Sequence, residues 1–230
     1  MAESLIKSKQ RVQQHGEVFT PSWMVQKMLD TPGVKEACDD IYATFLEPAA
    51  GDGNFLLAIL ERKLSAVIEQ YDKKYWKAKS LIALTSIYGI EFLEDNLELA
   101  RAKMFLKYLD WFEKHLGIHL SSKDDVYQSA NYLIHKNIIR GNTLTKKHPM
   151  TGAPLKFSEW HFKNKQTTVV EKIDFFFADL FDEAVNQEDY IVEGQLSLFD
   201  LDGDGTDDLT VEMEKEVTSI AIQKVYKLGD

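Results

Sequence analysis

Two acids at the ends of apolar runs, Glu47 and Glu91, are the side chains best placed for chemistry. Glu47 opens the stretch Glu47-Pro48-Ala49-Ala50-Gly51-Asp52-Gly53-Asn54. The apolar run Tyr42 to Leu46 precedes it, and Phe55, Leu56, Ile59 and Leu60 follow at helical spacing. A glycine-rich turn between strand and helix lets backbone come close to a ligand. The helix N-terminus adds unpaired N–H groups. A nucleotide phosphate asks for a third glycine or a Lys-Ser/Thr pair at such a turn, and neither is present. A carboxylate there repels phosphate and suits a cationic or amine-bearing ligand. By itself the stretch also fits an ordinary strand–helix corner. Glu91 ends the next apolar run, Leu84 to Ile90. An acid at that tip is placed to accept both hydroxyls of a ribose. The other role for it, an acid at a helix start, is already filled by Glu94 and Asp95.

The elements that must hold these residues follow from periodicity. Residues 1–14 are polar and read as frayed or loosely helical. Thr20 can cap a helix with Pro21 at its first position, and Met24, Val25, Met28 and Leu29 repeat at helical spacing. Helix is expected from Phe55 onward, continuing over 64–79, and again over 94–115 with Leu97, Ala100, Met104, Tyr108 and Phe112 on one side. Strands are expected at 42–46, 84–90, 137–140 and 172–177. This alternation predicts an α/β fold with a mostly parallel sheet and helices on both faces. Ligands in such sheets sit beyond the carboxyl ends of the strands. Residues 47–54, 91, 141–142 and 178–182 fall at those ends. A polar linker is expected over 194–208, and a closing strand or helix over 209–228.

With 44% hydrophobic and 11% aromatic residues, the 230-residue chain can bury a core. Cys38 is the one cysteine, so no disulfide framework is possible, and a cytoplasmic setting is expected. No signal peptide is expected at the start, and the longest apolar stretches are too short to span a bilayer. The six histidines lack metal-ligand spacing, so no metal site is expected. Trp23, Trp76, Trp111 and Trp160 read as core or rim packing. The net charge of −10 argues against a free-standing DNA binder. It is unevenly placed: residues 179–216 hold 14 acids and a single lysine, leaving the rest of the chain at +3. Residues 140–175 hold seven Lys or Arg against three acids.

Gly16-Glu17-Val18-Phe19-Thr20-Pro21 resembles the N-terminal Phe-Thr-Pro motif of adenine-N6 DNA methyltransferases, the group that includes modification subunits of type I and type IIG restriction–modification systems. Glu47 to Leu56 resembles their first cofactor motif, and Gly89-Ile90-Glu91 with Asn96, Leu99, Ala100 and Arg101 resembles the second. Ile138-Ile139-Arg140-Gly141-Asn142-Thr143-Leu144 resembles the third. The resemblance covers about residues 15–145. It implies a Rossmann-like fold that binds S-adenosyl-L-methionine, with DNA as partner. Thr20 and Pro21 would cradle the methionine end, while Glu47, Gly51 and Gly53 would line the amino acid and the turn beneath it. Glu91 would hold the ribose, Phe92 would lie against the adenine, and Asn142 would face the adenine ring. Phe19, Pro48, Ala49 and Asn54 complete the implied cofactor set.

The family's catalytic motif, Asn or Asp followed by Pro-Pro and an aromatic, is absent. There the acid or amide and a Pro carbonyl orient the amine of a flipped base, and the aromatic stacks on it. After the expected fourth strand this chain reads Ala178-Asp179-Leu180-Phe181-Asp182. Asp179 stands at the catalytic position, with Phe181 as a possible stacking ring; Asp179 also suits a helix cap. The expected organisation is a polar segment 1–14, a methyltransferase-like domain 15–182 that lacks its last strands, and an acidic tail 183–230. Two function classes follow: a DNA adenine-N6 methyltransferase, or an inactive or split module acting as a binding subunit. Gln195-Leu196-Ser197-Leu198-Phe199 resembles the motif with which bacterial replication and repair proteins dock on the β sliding clamp. Asp200 to Asp208 resembles a calcium loop, but Val211 occupies the place of the bidentate Glu, so a solvated acidic turn is expected.

Overall fold

In the computed structural model, residues 6–182 and 219–229 are described. The expected clamp motif at 195–199 and the acidic loop at 200–208 lie outside them. Strands β1 (Phe45–Glu47), β2 (Ile87–Glu91) and β3 (Ile138–Arg140) form a parallel sheet in the order β1-β2-β3. The register sets Glu47 opposite Gly89 and Glu91 opposite Arg140. The tip of β2 therefore rises two residues beyond that of β1, level with the turn that follows Glu47. The chain is α/β, and the sheet is small.

Each parallel step needs a crossover. The first is helix α4 (Asn54–Gln70), a short 3-10 turn at Lys73–Tyr75, and α5 (Trp76–Thr85). The expected continuous helix over 64–79 is broken at Tyr71, whose carbonyl accepts the Trp76 indole N–H at 2.8 Å. Every residue of α5 from Ala78 to Thr85 is buried. That helix takes up Leu84 and Thr85, so the strand expected from 84 begins at Ile87. A short apolar run does not by itself distinguish a buried helix from a strand. The second crossover comprises α6 (Glu94–Leu116) and α7 (Asp125–Asn137). Leu97, Ala100, Met104, Tyr108 and Phe112 of α6 are all buried, as their spacing predicted. α7 had no counterpart in the sequence reading, although Val126, Ala130, Leu133 and Ile134 form its inner stripe.

Before the sheet come α1 (Lys9–His15), α2 (Ser22–Leu29) and α3 (Val34–Asp39). Pro21 stands one position earlier than expected, as the cap of α2; its carbonyl accepts the N–H groups of Met24 and Val25. Of the predicted apolar face, Val25 and Leu29 are buried, whereas Met24 and Met28 are exposed. Trp23 is also exposed, which corrects its reading as core or rim packing.

The fourth expected strand exists but does not join the parallel sheet. β5 (Val169–Phe176) pairs antiparallel with β4 (Lys156–His161), and β6 (Ser219–Ala221) pairs antiparallel with β5. A 3-10 segment, Ile222–Leu228, then buries Ile222 and Val225. This second sheet also corrects the expectation of helices on both faces. Successive residues of a strand face opposite ways. A Cβ on Gly89 would meet Leu56 of α4, so that face of β2 is helical. Tyr88, on the other face, stacks edge-on with Phe157 at 5.6 Å and donates to the Ser158 carbonyl at 2.9 Å. There the β4–β5 hairpin supplies the cover.

Candidate functional site at the tips of the parallel strands

The turn after β1 is held by its own amides. Ala49 N–H donates to the Glu47 carboxylate at 3.1 Å, and Ala50 N–H to the Ile90 carbonyl at 2.9 Å. Gly51 N–H donates to Glu91 Oε2 at 2.7 Å, and Gly53 N–H to the Ala50 carbonyl at 2.9 Å. Both glycines have positive φ, 55° at Gly51 and 91° at Gly53. These four donors are satisfied within the protein, so they are not available to a phosphate. The carboxylates of Glu47 and Glu91 each occupy one amide of this turn, and both place negative charge where a phosphate would approach.

Glu91 is the centre of the arrangement. It is 7% exposed. Besides Gly51, it accepts the Leu93 N–H on Oε1 at 2.9 Å and the Asn96 side-chain amide at 3.5 Å. Burial holds its carboxyl above the usual range, against the Leu93, Gly51 and Asn96 donors, and the negative charge of Glu17 acts in the same direction as burial. A carboxylate has about four acceptor sites; with three donors already in place, about one remains for a further donor such as a hydroxyl.

The N-terminal segment closes over this centre. The Phe19 ring lies 3.5 Å from where a Cβ on Gly51 would stand. The Asn54 side chain donates to the Thr20 carbonyl at 3.3 Å, which joins α4 to the residue before Pro21. Lys7 donates to Asn96 Oδ1 and to Asp95, and Arg11 reaches Asp95 and Glu17. Glu17 is nine-tenths buried, and its Oε1 has no hydrogen-bond partner. An orphaned, buried carboxylate oxygen near a second buried carboxylate suits a ligand that carries positive charge or donates hydrogen bonds. Glu17 and Asn96 both lie inside motifs quoted above, yet nothing in their spacing marked them as site residues.

On the far side, Gly141 N–H donates to the Glu91 carbonyl at 2.9 Å. The Asn142 side chain is occupied locally: Oδ1 accepts the Leu144 and Thr145 N–H groups at 3.0 and 3.1 Å. Thr143 donates to the Pro48 carbonyl, tying this loop to the turn. Phe92 is 42% exposed beside Glu91, and Arg140 donates to its carbonyl at 3.4 Å. Thus Gly51 is bonded to Glu91 with the Phe19 ring beside it, Asn54 is bonded to Thr20, and Pro48 is reached through Thr143.

Asp179 is engaged locally. It begins the short helix α8 (Asp179–Asp182), and its Oδ2 accepts the Phe176 N–H at 3.2 Å. It therefore braces the end of its own strand. Phe181 packs edge-on against Phe177 at 5.2 Å, and the Lys146 ammonium sits 4.2 Å above the Phe181 ring. Phe181 and Leu180 line an apolar cavity of about 250 Å³ with Phe45, Tyr88, Phe157 and Phe175. Among the described residues no group of three or more His, Cys, Asp or Glu is arranged to hold a metal ion, and no helix is long and apolar enough to cross a membrane. Comparison of the chain with protein-family models, with curated proteins and with solved structures found no match.

Proposed function

We propose that this chain binds S-adenosyl-L-methionine at the tips of β1 and β2 and serves a DNA adenine-N6 methyltransferase of the restriction–modification kind. The observation that carries the reading is the Glu91–Gly51 bond, with the Ala49, Ala50 and Gly53 amides also engaged within the protein. Two carboxylates at the turn disfavour a phosphate ligand, and the acceptor left on Glu91 with the free Glu17 oxygen suits ribose hydroxyls and a cationic sulfonium. The residues present fit such a ligand: Glu17 Oε1 is an orphaned buried acceptor near Glu91. Glu91 would hold the ribose hydroxyls, Phe92 would lie against the adenine, and Phe19 and Thr20 would close the methionine end. When bound, the cofactor supplies a methyl group activated by its positive sulfur.

Asp179 favours a second reading for the chemical step. Its carboxylate is engaged with Phe176, the adjoining residues lack the Pro-Pro-aromatic loop, and Phe181 carries Lys146 on its ring. In that reading the chain is a cofactor-holding module, inactive alone or completed by a partner chain that supplies the base-orienting loop.

Calorimetric titration tests the cofactor. Wild-type protein is expected to bind S-adenosylmethionine and to prefer it strongly to ATP, which shares the adenosine but adds phosphates. Glu91→Ala is expected to weaken binding about thirtyfold, equivalent to about 2 kcal/mol for lost hydrogen bonds to a charged group. Glu91→Gln, which keeps one acceptor oxygen, should fall between. Preference for ATP, or an unaltered affinity in Glu91→Ala, would overturn the assignment. Methyl transfer to duplex DNA then separates the two readings: activity abolished by Asp179→Ala supports the enzyme, and no transfer by the chain alone supports the module.

A further inference from the structure

The loop between β3 and β4 is built more firmly than its surface position requires. Asn142 N–H donates to the Lys147 carbonyl at 2.9 Å, and Leu155 N–H to the Lys146 carbonyl at 2.9 Å. His148 N–H donates to the Ala153 carbonyl at 2.8 Å. Two tight turns are nested in this frame. Asn142 Oδ1 holds the first, at residues 143–145. His148 Nδ1 accepts the Met150 and Thr151 N–H groups at 3.3 and 3.2 Å and holds the second. That geometry makes Nδ1 the acceptor of the imidazole.

Each turn presents an apolar side chain to solvent. Leu144 is 93% exposed and Met150 is 74% exposed. Neither contributes to the core, so the ordered backbone does not serve their burial. The loop's own sequence carries charge of one sign. Residues 140–156 contain Arg140, Lys146, Lys147, Lys156 and His148 and no acid, in a chain whose net charge is −10. Arg140 and Lys156 are paired to Glu94 and Asp174 at the base of the loop. Lys146, held at a positive φ of 57°, and Lys147 stand between the two turns. The Thr143–Pro48 bond fixes the loop on the rim of the candidate cofactor site.

We propose that loop 142–155 is the element that engages duplex DNA. Lys146 and Lys147 meet phosphates, and Leu144 and Met150 press against bases opened near the cofactor. Lys146 and Lys147, not paired with an acid among the described residues, supply backbone affinity, and apolar wedges on an ordered loop are a means of unstacking a base step. Basic charge with apolar tips also suits an anionic membrane; what favours DNA is the Thr143–Pro48 bond that sets the loop beside the proposed nucleoside site. The inference rests on DNA being the substrate of the proposed site.

The test is fluorescence anisotropy of a labelled duplex with the full chain, between about 50 and 200 mM salt, the range over which phosphate contacts are weakened most visibly. Lys146→Gln with Lys147→Gln is expected to reduce the slope of log affinity against log salt by about 1.8, two phosphate contacts at about 0.9 each. Leu144→Ser with Met150→Ser is expected to lower affinity about tenfold with the slope unchanged, since apolar contacts release no counterions. Leu144, Met150 and Lys147 lie on the surface and their replacement should leave thermal melts at wild type, whereas Lys146→Gln also gives up its contact with the Phe181 ring and should lower the melt slightly. If both variants bind DNA as wild type does, the proposal is overturned. It is also overturned if the Leu144/Met150 variant changes only self-association in sedimentation velocity. A wild-type chain that binds S-adenosylmethionine but no DNA removes the DNA partner and this loop's role while leaving the cofactor site standing. A chain that binds DNA through the loop but no S-adenosylmethionine does the reverse.

Discussion

Gly53→Ala is expected to destabilise the protein by about 3 kcal/mol. Gly53 sits where the turn after β1 enters α4, with φ at 91°. A side chain in the left-handed region costs roughly 1–2 kcal/mol. The added Cβ would also stand 2.9 Å from the Ala100 Cβ and 3.0 Å from the Ala100 Cα. Ala100 is fully buried on α6, and its backbone cannot give way as a flexible side chain would. Overpacking of this kind adds roughly 1–3 kcal/mol. Relief requires α4 to move away from α6, which would also shift Gly51 from Glu91. Urea unfolding measures the loss, and Gly117→Ala provides the reference. Gly117 has φ at 67° with nothing within 4 Å of the added Cβ. It should pay the conformational cost alone, about 1 kcal/mol. Equal midpoints for the two variants would show that the α4–α6 contact is looser than described.

The second large effect concerns Lys63, which is fully buried on α4. Its ammonium donates to the Asp40 and Ala43 carbonyls at 2.7 Å each and lies 5.1 Å from the centre of the Phe45 ring. Burial pushes its pKa down to about 7, opposed by the negative charge of Asp40. An unfolded chain keeps that lysine protonated to about 10.4. Between about pH 7 and 10 the unfolded state therefore binds more protons than the folded state. Stability then rises with pH through this window, at up to about 1.4 kcal/mol per unit. Burial lowers Lys79 and Lys172 as well, in the same sense. Buried Tyr88 and Tyr108 are pushed above the usual tyrosine range, which reverses the trend above about pH 10. Denaturant midpoints at pH 7 and pH 9.5 should thus show wild type gaining stability by a few kcal/mol. Lys63→Met should lose most of that gain. An equal gain in the variant would assign the pH dependence to the other lysines.

The sequence by itself determined the parallel half of the fold and the nature of its turn. Phe45–Glu47 and Ile87–Glu91 are apolar runs that end in an acid, and the Gly51–Gly53 pair permits the positive φ that the corner between strand and helix uses. Such signals are local, so they are legible without knowing the partner elements. The α6 stripe from Leu97 to Phe112 was legible for the same reason. Tertiary structure decided the partners. The Val169–Phe176 run reads as a strand, but its pairing depends on what precedes it. Only residues 162–168 separate it from β4, a length that closes a hairpin, whereas a parallel step needs a dozen residues or more. β4 itself, Lys156–His161, is too polar in sequence to announce that hairpin. The site divides in the same way. Residue types named Glu91 and Gly51, but only the folded chain brings the Gly51 N–H onto Glu91 and leaves Glu17 Oε1 without a donor, because hydrogen-bond partners distant in sequence are chosen by packing.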